Sequence, residues 1–156
     1  MRPLFKHSAS ALAAVMLFAA IAPAGAAGPC YRPSEIEAEQ AMRYQAKIMV
    51  LSDTCNDGTY RDFTVHNREV IVGYQKELIE RFRRSGAHRP EANLDNYMTG
   101  VANEFALSTG TEVVTSVCKR SAGILQEAAT LDKAQFRHHV EELVVENRGT
   151  YKTCPK

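Results

Sequence analysis

Beyond its first 27 residues the sequence has no apolar run long enough to cross a membrane, no excess of either charge, no tryptophan and no cysteines spaced as Cys-x-x-Cys. Each absence removes a class of protein. A spanning helix needs about 20 contiguous apolar residues, so the body of the chain carries none. Nineteen basic against eighteen acidic residues give a formal charge of +1, which offers no electrostatic footprint for nucleic acid or an anionic membrane surface. Without Cys-x-x-Cys or Cys-x-x-Cys-His there is no redox centre, zinc ribbon or covalent haem attachment of the usual spacing. No serine stands in a nucleophile elbow and no glycine-rich phosphate loop is present. No residue is assigned a catalytic role, and the chain reads as a non-enzyme.

What is present begins with a leader. Arg2 and Lys6 precede an apolar run, Ala9 to Ala22, broken only by Ser10, and Pro23 is followed by Ala24-Gly25-Ala26-Ala27. A positive n-region, an apolar h-region and an Ala-x-Ala site make a secretory signal peptide over 1–26, cleaved near Ala26. Lipidation at Cys30 is rejected, because Pro29 and Ala27 do not suit that processing. Loss of Arg2 and Lys6 leaves 17 basic against 18 acidic residues. The remainder, 27–156, is expected to be a single helical domain, soluble and periplasmic or secreted. Its four cysteines, Cys30, Cys55, Cys118 and Cys154, then read as two disulfides in an oxidising compartment.

The organising stretch is Ser34 to Cys55. Ile36, Tyr44, Ile48, Leu51 and Cys55 recur at helical spacing, while Glu35, Glu37, Glu39, Arg43, Lys47 and Asp53 fall mostly on the other side. That pattern predicts an amphipathic helix with one face in the core and one in water. Ser34 with Glu37 predicts its capping box. Phe63, Val70, Tyr74, Leu78 and Phe82 carry a second helix to about Ser85, and Ala87 to Ala92 reads as a loop. Leu94 to Phe105, with Asn93 as a possible cap, starts a third helix, and the pattern resumes from Val114 to Thr130 after a weak joint at Ser108-Thr109-Gly110-Thr111. One helix kinked near Gly110 is favoured over two separate ones. Asp132 with Gln135 caps a last helix through Val140 to Asn147. The fold class is all-α: a disulfide-stapled bundle of four helices, the third kinked or split near Gly110.

In an up-down-up-down bundle with a kinked third helix, Cys55 and Cys118 share the upper half, and Cys154 ends near Cys30. The nested pairing Cys55–Cys118 and Cys30–Cys154 follows from that topology; a full reversal at Gly110 would place Cys154 at the opposite pole. Each bridge closes more than sixty residues, worth on the order of 3–5 kcal/mol in the chain-entropy description.

Met49-Val50 running to Cys55, then Tyr60 and Phe63, Tyr97-Met98-Thr99, Ala102-Asn103-Glu104 and Cys118 together resemble a group of small exported proteobacterial proteins without an assigned function. The resemblance implies an exported helical domain and transfers no catalytic residue.

The densest set of potential metal ligands is His138, His139, Glu141 and Glu142. His138 and Glu142 stand four apart on one helix face, but two ligands do not complete a site, and a solvated charged face accounts for them. Met42 or Met49 with His138 or His139 would suit axial haem ligation between helices, although methionines at core spacing are ordinarily packing. His66 reads as a half-buried core-edge histidine. Arg81, Arg83, Arg84, His88 and Arg89 form a basic corner that compensates the helix dipole or docks an anion. No metal and no cofactor is expected. The sequence points to a periplasmic binding or protein-interaction module, with another envelope protein as its partner. The alternative is a carrier of haem, metal or an apolar ligand in the bundle core, and a small enzyme using His138 and Glu142 ranks last.

Overall fold

The computed structural model describes residues 30–155; the predicted leader and the cleavage expected near Ala26 lie outside them. The described residues are helical: α1 Pro33–Cys55, α2 Thr59–Arg84, α3 Pro90–Thr109, α4 Val114–Thr130 and α5 Lys133–Glu146, followed by a short 3-10 turn. Among the described residues the only extended pairing is an isolated parallel bridge between Tyr31 and Thr153.

Helix starts follow proline and side-chain chemistry. Pro33 and Pro90 open α1 and α3 at the first helical position, where the missing N–H costs nothing and the ring presets φ. The predicted starts at Ser34 and Asn93 are therefore late, and the capping carboxylate of α1 is Glu35, not Glu37, accepting from the Arg32 N–H at 2.8 Å. The Asp132 box forms as read, with its carboxylate accepting from the Ala134 and Gln135 N–H groups at 2.9 Å. Between α1 and α2, Asn56 adopts a left-handed backbone (φ 50°), and the Ser52 hydroxyl accepts the Tyr60 N–H at 3.1 Å.

Among the described residues five helices, not four, make the bundle. Thr109 closes α3 and Val113 is extended, so the chain does not merely kink at Gly110. Ser108 and Thr109 return their hydroxyls to the carbonyls of Phe105 and Ala106, a local competition that favours a helix end. The chain then doubles back. A continuous helix would carry Ile124 about 28 Å past Phe105, yet both line one cleft. A second bend follows at Leu131–Asp132, beyond which His139 lies 3.5 Å from Glu127.

α4 thus slants from the end of α1 to the middle of α2, and α5 completes the descent. The disulfides are Cys55–Cys118 and Cys30–Cys154. That pairing coexists with a reversal at Gly110 because the bend at Leu131 is not a second reversal, so the tail still arrives beside Cys30.

α1 is the axis. It packs against α2, α3, α4 and α5 in turn, and Ala38, Met42 and Ala46, off the apolar stripe, are buried along with Ile36, Ala41, Tyr44, Ile48 and Leu51. The expectation of a watery face is corrected here: small side chains let neighbours close in on nearly every side. Phe63 and Phe136 meet edge to face at 4.9 Å and form the centre of the core, with Tyr44 and Tyr74 at 6.0 and 6.1 Å from Phe136.

Asn67 is a buried fastener between α2 and the end of α4. Its amide donates to the Phe63 carbonyl at 3.1 Å and to the Leu131 carbonyl at 2.9 Å. Asn67→Ala leaves the buried Leu131 carbonyl unpaired and is expected to cost about 1–3 kcal/mol, read as a lower urea midpoint with unchanged slope.

Candidate functional site

The histidine cluster is not gathered into a site. His138 is 72% exposed and its ring nitrogens stand 3.5 and 3.6 Å from Glu141 and Glu142 on its own helix. Among the described residues no three His, Cys, Asp or Glu side chains converge closely enough to hold a metal. His139 is turned inward against the Tyr44 ring, with centroids 4.5 Å apart, and its Nε2 is buried without a partner. Met42 is fully buried in the core, while Met49 lines a cleft near the end of α1 with Asp53 and Tyr60. His66 is exposed rather than half-buried; it borders a shallow hollow with Leu131 and Asp132.

The basic corner dissolves into separate tasks. Arg84 reaches back to the chain start and grips Glu35, at 2.7 Å to Oε1, while also donating to the Cys30 carbonyl at 3.0 Å. Glu35 is only 2% exposed, which overturns its placement on a watery face. Burial pushes its carboxyl up, but hydrogen bonds from Arg84 and the Arg32 N–H, with the charge of Arg84, outweigh burial and hold it below its ordinary value. Arg81 lies 3.8 Å over the Tyr31 ring, a cation–π contact. Burial, then the charge of Glu39, pushes the Tyr31 hydroxyl up to about 12. Arg83 pairs with Glu80 and Glu91, leaving His88 and Arg89 at the surface. These contacts, the Tyr31–Thr153 bridge and Cys30–Cys154 clasp the two ends of the domain together.

The Glu35 clasp has a definite pH signature. A carboxylate lowered in the folded state stabilises fully above its unfolded value near 4.5, and the contribution is lost as pH falls through the lower folded value. Urea unfolding between pH 7 and pH 3 is expected to show that decline. Glu35→Gln should cost on the order of 1–3 kcal/mol at pH 7 and flatten the acid limb.

A groove runs along α1, and it comes from the topology. α3 packs on one side of α1 and α4 with α5 on another, without extensive packing of α3 against α4 or α5. Two clefts lie in the gap, sharing Lys47 and Phe105. One, of about 280 Å³, is floored by Val50 and Leu51 and walled by Phe105, Ser121 and Ile124. The other, of about 300 Å³, adds Gln40, Arg43, Tyr44, Leu143 and Asn147. From Gln40 to Leu51 the floor extends about 16 Å.

Its charges are arranged unevenly. Arg43 binds Glu104 at 2.6 Å and lies 5.6 Å over the Phe105 ring; the Glu104 hydrogen bond raises its guanidinium and lowers the carboxyl. Arg120 holds Glu112 through a two-pronged contact, 2.8 Å at the longer arm. Lys47, half-buried between the clefts, is in no ion pair among the described residues. Ser121 is 5% exposed and lines the first cleft. The sequence exposed each of these residues as a helix position and gave no sign that they converge. The arrangement can hold an elongated, partly apolar, anionic group; it contains no nucleophile–base pair.

Comparison with known proteins gives no match: no family model, curated protein or solved structure is significantly similar to the chain.

Proposed function

We propose that the chain is a non-catalytic binding module of an exported compartment, and that the groove along α1 is its working surface. The observation that carries this reading is the shared cleft at Lys47 and Phe105, where three helix systems leave an apolar floor uncovered beside an ammonium without a carboxylate. Such partly apolar concavities with a few polar groups are where ligands ordinarily sit. The two disulfides support export, since cysteine pairs persist in oxidising compartments. The occupant is then a molecule of the cell envelope.

Affinity capture from envelope extract tests the reading. Ile124→Trp fills the cleft from a half-buried position and is expected to reduce recovery of the bound species at least tenfold, with the melting temperature within a few degrees of the parent. Undiminished recovery would show that another face makes the contact.

A further inference from the structure

We propose that the groove takes a single-chain anionic amphiphile, a long-chain carboxylate whose headgroup rests at Lys47 while its chain lies along Val50, Leu51, Phe105 and Ile124. This rests on reading the groove as the binding surface and names the chemistry that fills it.

Charge complementarity selects the headgroup. Three cations line the groove, and two of them already hold carboxylates, Arg43 with Glu104 and Arg120 with Glu112. Lys47 is the one left over, and it stands where the two clefts join. A lysine can bury its methylene stem against apolar neighbours and present its ammonium at the edge, which places one positive charge beside Val50, Phe105 and Leu51. An anion there completes the pattern set by the rim. Ser121 lines the same cleft, and its hydroxyl supplies a second donor.

Shape selects the chain. The clefts, about 280 and about 300 Å³, lie at the small end for ligand pockets and follow one another along α1. A narrow extended tail fits that path; a fused ring system or a two-chain lipid does not. Val50 and Leu51 of α1, Phe105 of α3 and Ile124 of α4 give the tail aliphatic and aromatic carbon among the polar lining residues, so affinity comes from methylene burial and the headgroup sets the register.

Calorimetric titration of the oxidised, exported protein with octanoate, decanoate and dodecanoate, all below their micellar range, tests the proposal. One saturable site is expected, strengthening by up to about fourfold per added methylene. Lys47→Met and Lys47→Gln, at a half-buried position, should each weaken dodecanoate at least tenfold while decanol binding changes less than threefold. Ile124→Trp should abolish both. The proposal is overturned if dodecanoate gives no saturable heat, if affinity is indifferent to chain length, or if both Lys47 variants bind it as the parent does. Loss of a captured envelope protein in Ile124→Trp, with no dodecanoate binding to the parent, would overturn the amphiphile and leave the groove as a protein-docking surface.

Discussion

Replacing Cys55 and Cys118 together with serine is expected to lower the stability of the oxidised domain by on the order of 4 kcal/mol. The bridge joins residues separated by 63 positions, and the chain-entropy description assigns about that much to a loop of this length. The effect should be large for a second reason. Cys118 lies in the second turn of α4, immediately after the reversal at Gly110, and its sulfur fixes where α4 begins its slant across α1 and α2. Net stabilities of small domains are about 5–15 kcal/mol, so much of the margin is at stake. Urea unfolding of the double variant should show a midpoint well below that of the parent. The outer bridge, Cys30–Cys154, joins the chain ends, which Glu35, Arg84, Tyr31 and Thr153 also hold. Its removal is expected to fray the clasp locally before it unfolds the bundle, giving faster amide exchange at Tyr31 and Cys154 with the core protected.

The second large effect is expected at Phe136. Its ring is fully buried and packs against Phe63, Tyr44 and Tyr74, so one side chain ties α5 to α1 and α2. Phe136→Ala removes that anchor and opens a cavity that three large rings fixed on two helices cannot easily fill. A loss of about 3–5 kcal/mol is expected. α5 is short, 14 residues, and a helix of that length is marginal alone, so part of the loss should appear as detachment of α5. Thermal unfolding followed by far-ultraviolet circular dichroism checks the magnitude, and amide exchange in α5 checks the location. Unchanged stability would mean that α5 is held chiefly by its cap and tail.

Which features could be read from the sequence follows the range of the interactions behind them. The Asp132 cap involves residues two and three apart, and local spacing reveals such contacts directly. The all-helical class is likewise carried by periodicity. Glu35 is different: its partner Arg84 lies 49 residues away, and nothing near Glu35 distinguishes a buried carboxylate from a solvated one. The burial of α1 beyond its obvious stripe had a local trace in Ala38 and Ala46 on the far side, because small residues all round a helix permit close neighbours. That trace is outweighed in the pattern by six charged residues. The weak joint at Ser108-Thr109-Gly110-Thr111 was visible, but the direction of the chain after it was not, since turn chemistry ends a helix without aiming the next one. The groove needs all of these at once. Phe105, Lys47 and Ile124 are unremarkable helix positions until the reversal and the slant of α4 bring them to one line.

Site-directed photo-crosslinking in producing cells tests the groove most directly. A benzophenone side chain at Ser108, on the groove wall, is compared with one at Val65, an exposed apolar position on α2. Adducts from Ser108 and none from Val65, with the Ser108 adducts lost in Ile124→Trp, are the predicted result. Adducts from Val65 alone, or Ser108 adducts indifferent to Ile124→Trp, would contradict the groove as the place where this protein meets its ligand.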